Sequence, residues 1–293
     1  MDNLSFEQSL KLAQSLLGNK LNHLEIGKNN WVFDGGDRIL TIPRHKRVRD
    51  YKIRVRATQE LISYGIPTPR VLEYSPKKED LSEYLIVEKI NGEHVNLSKK
   101  GKKERDIIHK SAGEILKEIH QIPCEGFGRL DALMIGTSNY WKEFIDSFFR
   151  ESLNRLSKTE YLFKKYGYKI QEEYEKGLEN MINLSKPKFL HADYHIGNLL
   201  FNNGKVTAVM DLDIVSGGDQ AWDTGHYCHT FNFDRLNGST SFREGYSNNI
   251  DDERERFYLI IIWTRKIGSQ AIDRPDSLNE TIPEFEKILR GEI

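Results

Sequence analysis

The sequence predicts an α+β protein of two lobes, a small β-rich N-lobe over residues 1–90 and a larger, mostly helical C-lobe over residues 91–293. Three observations lead there. Short apolar runs between Gly, Pro and Asn turn signals crowd the first part of the chain. Apolar residues at helical spacing dominate the chain beyond Asn91-Gly92. A single strong hairpin signal, Asn203-Gly204, interrupts the helical part. The cleft between the lobes is the expected place for a site.

The elements come in order. Ser5-Phe6-Glu7-Gln8 has the form of a capping box, and Phe6, Leu10, Ala13 and Leu17 recur at helical spacing. Trp31-Val32-Phe33 and Arg38 to Ile42 flank Asp34-Gly35-Gly36-Asp37, the pattern of a β-hairpin. Residues 50–63 read as a helix that stops before Gly65-Ile66-Pro67-Thr68-Pro69, and Val71 to Tyr74 and Tyr84 to Ile90 as strands. Beyond the boundary, Ile107, Ile108, Ala112, Ile115, Leu116 and Ile119 form one apolar helix face. Tyr140 to Leu156 and Ile170 to Leu184 predict two more helices, joined by a Lys- and Tyr-rich connector. Glu253 to Ile272 and Pro283 to Leu289 predict the last two. No internal repeat or low-complexity tract is present.

Composition narrows the function. With 43 basic and 44 acidic residues the net charge is -1, which argues against nucleic acid as a partner. The longest apolar run, Leu259 to Trp263, is far too short to span a bilayer, so no membrane role is expected. Met1 to Phe6 lacks the basic start and apolar core of a signal peptide. Cys124 and Cys228 are the only cysteines, too few for a disulfide framework or a cysteine zinc site. A soluble cytoplasmic protein is expected.

The densest chemistry lies in the middle of the C-lobe. Asp193 and Asn198 flank Gly197, and Asp211 arrives after the apolar hairpin Leu199 to Ala208. This layout is that of a kinase catalytic centre. Asp193 can accept the proton of a substrate hydroxyl, while the Asn198 amide oxygen and the Asp211 carboxylate can hold Mg²⁺ against nucleotide phosphates. A competing reading makes His191-x-Asp193-x-His195 the ligand set of a metallohydrolase, with strand alternation placing all three on one face. His226 and His229 would be available to complete it.

The stretch from Phe189 to Tyr227 resembles the aminoglycoside phosphotransferase and choline kinase superfamily, whose fold is protein-kinase-like. The resemblance rests on Leu190-His191-Ala192-Asp193, Gly197-Asn198-Leu199-Leu200, Val209-Met210-Asp211-Leu212-Asp213 and Asp219-x-Ala221-Trp222-Asp223. It implies Asp193 as catalytic base, Asn198 and Asp211 as magnesium ligands, and ATP or GTP as phosphoryl donor. It also implies that Asp223 is a buried aspartate steadying the catalytic loop, against the alternative of a helix N-cap before Thr224-Gly225-His226. His195 and Asp213 become candidate substrate contacts. Ile66 to Leu72 resembles the family's link out of its N-lobe helix, and Leu85 to Gly92 its hinge. There the backbone of Glu88 and Ile90 would meet the purine edge. Ile115 to His120 resembles its long helix, with His120 structural. Gly126-Phe127-Gly128 and Tyr140 to Ile145 are similar to antibiotic kinases of the hygromycin and aminoglycoside branches.

The N-lobe departs from the family. Its phosphate-binding Lys or Arg should stand at Thr41, and its partner glutamate near Val55. Arg44, Lys46 and Arg56 are the candidates for a substitute charge, and Gly27-Lys28-Asn29-Asn30 for a turn over the phosphates. The expected function is therefore an ATP- or GTP-dependent transfer to a small-molecule hydroxyl, in the first instance a cationic aminoglycoside, as an antibiotic-resistance enzyme. A macrolide, choline-like or sugar alcohol is the alternative acceptor, and a catalytically weak nucleotide-binding protein the alternative activity. For a polycation, Glu143, Asp146, Glu151, Asp251, Asp252, Glu253 and Glu255 would supply the charge. For a choline or macrolide site, Trp141, Trp222 and Trp263 would supply walls.

Overall fold

The computed structural model describes residues 4–25, 30–44, 51–76, 83–179, 184–229, 235–247 and 251–292. Among the expected features, the Gly27–Asn29 turn, Lys46 and the first residue of the 50–63 helix lie outside them.

Helix α1 (Phe6–Leu17) opens with the expected reciprocal cap, Ser5 and Gln8 each bonding the other's backbone N–H. It packs on a five-stranded antiparallel sheet of order β1-β2-β3-β5-β4. The strands are β1 (Asn22–Leu24), β2 (Asn30–Asp34), β3 (Arg38–Pro43), β4 (Val71–Ser75) and β5 (Tyr84–Glu88). Phe33, Leu40, Ile42 and Ile86 fill the space beneath α1. Tyr51, Leu85 and Val87 form a second cluster, which takes in Val55 of α2 (Tyr51–Ser63).

The helical part contains α3 (Lys102–Ile119), α4 (Trp141–Ser157), α5 (Glu160–Glu179), α6 (Ala221–His229), α7 (Arg235–Tyr246), α8 (Asp252–Asp273) and α9 (Leu278–Arg290). Two small sheets sit among them. One is the hairpin of β9 (Leu199–Asn202) and β10 (Lys205–Val209). The other has the order β7-β6-β11-β8, from β6 (Phe127–Leu130), β7 (Gly136–Ser138), β8 (Lys188–Leu190) and β11 (Ser216–Gly218). Asn203 and Gly204 have φ of 50° and 78°, as the predicted type I′ turn requires.

Two helix expectations need correction. The Lys- and Tyr-rich connector is helical, because α5 starts at Glu160 and not at Ile170. Leu162, Tyr166, Ile170 and Tyr174 recur every fourth residue and are all buried, so Leu162 and Tyr166 continue the apolar face into the connector while Tyr161 and Tyr168 stay exposed. Pro283, expected at the start of the last helix, sits inside α9, whose start at Leu278 comes directly after the short turn Pro275–Ser277.

Contacts from the strand-rich part fix the position of the β9–β10 hairpin. Val209 donates to the Pro67 carbonyl at 2.8 Å, and the Thr68 hydroxyl to the Val209 carbonyl at 2.9 Å. Glu93 and Phe201 exchange two backbone bonds of 2.9 Å. The strand leading into Asp211 is thus tied to the linker after α2. Among the described residues, no helix is long and apolar enough to cross a membrane.

Candidate active site

The site is built on the loop between β8 and β9. Asp223, fully buried in α6, accepts the backbone N–H groups of His191 and Ala192, both at 2.8 Å. It therefore organises the loop, as the resemblance implies, and does not act as an N-cap. His191 is a second brace. Its Nδ1 accepts the Asp193 N–H at 3.2 Å, which leaves Nε2 to donate to the Met210 carbonyl at 2.8 Å. With both ring nitrogens committed, and with residues 191–195 outside any strand, the His-x-Asp-x-His metal reading fails.

Asp193 and Asn198 meet directly. The Asn198 Nδ2 donates to the Asp193 carbonyl at 2.9 Å and to its carboxylate at 3.3 Å, which leaves the amide oxygen as a ligand. A 3-10 turn, Ile196–Asn198, shapes the segment between them, with the His195 Nδ1 accepting the Gly197 N–H at 3.0 Å. On the returning strand, Met210 donates to the Asn198 carbonyl at 2.8 Å. Asp211 comes next with φ of 58°, and Ala192, just before Asp193, has φ of 67°. Such conformations cost a non-glycine residue about 1–3 kcal/mol and persist where surrounding bonds over-determine them. Here the Asp223 and His191 bonds do so.

Charge is concentrated at this point. Asp211 is reached by water yet surrounded by protein, as a group on a cleft floor is. Burial first, then the charges of Asp213 and Asp193, raise its carboxyl above the ordinary value. Burial opposes ionisation of Asp193 too, but His226, His195 and the Asn198 hydrogen bond hold its carboxyl below the usual range. The nearest ring atoms of His226 and His195 lie 3.7 and 3.9 Å from it. Burial pushes His195 down to about 4 and lowers His226, so Asp193 is an anion beside neutral rings near pH 7.

The donor set fits Mg²⁺. It is all oxygen, and a divalent ion would relieve the repulsion that raises Asp211. Among the described residues no three of His, Cys, Asp or Glu converge as a metal cluster. That suits an ion that takes two protein oxygens and completes its shell with phosphate and water.

On the facing lobe, Thr41 is buried and its hydroxyl bonds the Leu85 carbonyl at 3.3 Å, so it offers no charge. Of the expected substitutes, Arg44 lies over the Trp31 ring at 3.9 Å, and Arg56 is exposed and bonded to Gln59. Among the described residues, a cation that reaches Asp211 and Asp213 is Arg54, which the sequence pattern does not single out. Burial works against its charge, but Asp213 and Asp211 lie close enough to keep the guanidinium protonated. The expected hinge is pinned on both sides. Glu88 donates its N–H to Arg70 at 2.9 Å and grips that residue's Nε at 3.0 Å; Lys89 donates to Asp37 at 2.9 Å. Glu88 thus has its carbonyl, not its N–H, to offer a purine.

The family model for the phosphotransferase enzyme family matches residues 27–260. The chain belongs to this family.

Family membership makes it a phosphotransferase. Solved structures agree in fold. Aminoglycoside phosphotransferase APH(4)-Ia superposes with a TM-score of 0.77 at 18% identity, covering 98% of this chain and 99% of that one. The gentamicin complex of APH(2")-IIa gives 0.67 at 20% identity, covering 98% and 97%. The GDP and kanamycin complex of APH(2")-IIia gives 0.74 at 12%, covering 97% and 99%. A mutant of APH(4)-Ia with AMP-PNP and hygromycin B gives 0.75 at 18%, covering 96% and 97%. No curated protein sequence matches the chain.

Beside Asp193 this phosphotransferase has a cavity of about 150 Å³, walled by Trp141, Phe144, Phe148 and Trp222, with Arg129 and Arg265 on its border. Trp263 is buried in the helical core instead. None of the acidic residues expected to hold a polycation lines it. Asp146 accepts from the Tyr174 hydroxyl, Glu151 pairs with Arg265 at 3.0 Å, and Glu255 is buried against Arg243 at 2.8 Å. Asp251 caps α8, and Glu143, Asp252 and Glu253 are exposed.

Proposed function

We infer that the chain moves the γ-phosphoryl group of ATP or GTP to a hydroxyl of a small molecule, in a cytoplasmic setting. What supports this is that Asn198 is hydrogen-bonded to Asp193 and that Asp211 follows Met210, which is bonded to Asn198, close enough to Asp193 to feel its charge. Residues 1–90 would cover the nucleotide, with the Glu88 carbonyl and the Ile90 backbone at the purine edge. Residues 91–293 would carry the chemistry and the acceptor. Asn198 and Asp211 would hold Mg²⁺, which when bound supplies charge neutralisation for the phosphates.

Asp193 orients the acceptor hydroxyl and takes its proton as the oxygen bonds to the γ-phosphorus and the bond to the β-phosphate oxygen breaks, releasing ADP or GDP. Its low-lying carboxyl is a weak base, which suits a transition state in which the proton moves late. Arg54 would supply the positive charge that Thr41 cannot, facing the phosphates from α2. That retention of base, ligands and cation supports an active enzyme over a nucleotide-binding relative without turnover.

The neighbours' ligands support an aminoglycoside acceptor and a resistance role, whereas the cavity beside Asp193 offers no carboxylate for a polycation other than Asp193 itself. The test is nucleotide turnover over a panel of aminoglycosides and other alcohols, with wild type and Asp193→Ala. Loss of about 10²–10⁴-fold is expected in the variant. Undiminished turnover removes Asp193 as the base.

A further inference from the structure

The walls of the cavity next to Asp193 have a definite chemistry. Its volume of about 150 Å³ equals the space that one benzene ring fills in an apolar protein cavity. The four aromatic side chains around it present ring surface and no spare donor from the indoles. The Trp141 Nε1 donates to the Tyr258 hydroxyl at 2.7 Å, and the Trp222 Nε1 to the Ala192 carbonyl at 3.3 Å. Trp141 stands edge-on to Trp222 with centroids 6.0 Å apart, and Phe148 edge-on to Trp222 at 5.3 Å. The slot depends on glycine, since a Cβ on Gly218 would run into the Trp141 ring.

Charge is the other half. Arg129 comes from β6, where it pairs with Ser216 of β11, and Arg265 comes from α8. Arg265 lies over the Phe148 ring at 4.9 Å and pairs with the exposed Glu151 at 3.0 Å. Arg129 has a buried Nη1 with no hydrogen-bond partner. Two guanidiniums thus share one solvent-exposed carboxylate, and burial together with Arg265 lowers the pKa of Arg129. An unpaired buried guanidinium nitrogen is costly, and a carboxylate in the cavity would give it a charged acceptor.

We propose that the acceptor is an alcohol built on a single flat ring that carries a carboxylate, the ring lying against the aromatic wall of Trp141, Phe144, Phe148 and Trp222 and the carboxylate facing Arg129 and Arg265. The proposal rests on the phosphotransferase reading of Asp193, Asn198 and Asp211. In this arrangement the ring fills the slot, the anion faces the arginines, and the hydroxyl points back to Asp193. Its oxygen bonds to the γ-phosphorus, the proton passes to Asp193 and the nucleoside diphosphate departs. A polycation is disfavoured by the like charge of the two arginines.

The experiment compares three acceptor arms with the intact chain and ATP·Mg²⁺: hydroxymethyl benzoates and related ring-bearing hydroxy acids, their neutral methyl amides, and aminoglycosides. Nucleoside diphosphate release and acceptor binding by ligand-observed NMR are both read. The carboxylate arm is expected to bind and to exceed its amides in kcat/KM by about tenfold or more. Arg129→Gln is expected to shrink that preference through KM. Better turnover of aminoglycosides, equal values for acids and amides, or no binding by any acid overturns the proposal. Titration of ATP·Mg²⁺ and of GTP·Mg²⁺ in the same samples separates the two readings. Nucleotide binding with no acid binding sinks this inference alone, whereas absence of nucleotide binding sinks the reading beneath it.

Discussion

The Asp223 carboxylate accepts the Ala192 N–H at 2.8 Å, one residue before Asp193 and at a backbone angle, φ of 67°, that alanine rarely adopts. The other carboxylate oxygen takes the His191 N–H at 2.8 Å and lies 3.3 Å from the His120 Nε2. One buried side chain therefore sets the direction in which Asp193 leaves the sheet. His120, on α3, is structural, bonded also to the Tyr246 hydroxyl at 2.7 Å.

Replacing Asp223 by Ala leaves two buried N–H groups without acceptors, at about 1–3 kcal/mol each. Chemical denaturation of Asp223→Ala is expected to show a loss of about 3 kcal/mol or more. A loss below about 1 kcal/mol would remove Asp223 as the organiser of the loop.

Arg54 and Arg56 form a natural contrast on one helix. Arg54→Gln removes the cation facing Asp211 and Asp213, and nucleotide-dependent turnover is expected to fall on the order of 10- to 100-fold, with KM for the nucleotide raised. Arg56→Gln, whose side chain is bonded to Gln59 at the surface, should leave turnover within about twofold, in line with a solvated surface group. Equal losses in the two variants would deny Arg54 its role.

Glu255 gives a pH signature of stability away from the site. Burial pushes its carboxyl up to about 7, against the pull of the Thr224 hydrogen bond and the Arg243 charge. An acid raised on folding stabilises fully below its ordinary value near 4.5, and that contribution is lost as pH rises through 7. The wild type should lose on the order of 3 kcal/mol at most from this group between pH 4.5 and 8, a slope absent from Glu255→Gln. Urea unfolding at both pH values measures it; parallel pH curves for the two proteins contradict it.

Much of the loop around Asp193 was legible because its chemistry is local. Asp193, Asn198 and Asp211 are joined by one loop and one hairpin, and Asn203-Gly204 fixes how that hairpin turns back. Thr41 and Val55 were also legible as losses. Arg54 was not, because a helical Arg among Lys52 and Arg56 carries no sign of which face meets a partner; only the folded position of α2, which brings Arg54 close to Asp211 and Asp213, selects it. Arg129 and Arg265 were invisible for a related reason. They lie far apart in sequence, and strand pairing and α8 packing bring them to one cavity. The acidic residues on α4 and α8 had the right composition for a polycation site, but they are exposed or engaged with Arg265, Arg243 and Tyr174. The start of α5 is not legible as a helix because only Leu162 and Tyr166 mark its buried face, among exposed lysines and tyrosines.

The most direct measurement is isothermal titration of AMP-PNP with and without Mg²⁺, in wild type and in Asp211→Asn. The account predicts that Mg²⁺ strengthens binding to the wild type, and that the variant loses at least about tenfold of that affinity. Binding of the same strength in both proteins, indifferent to Mg²⁺, would contradict it.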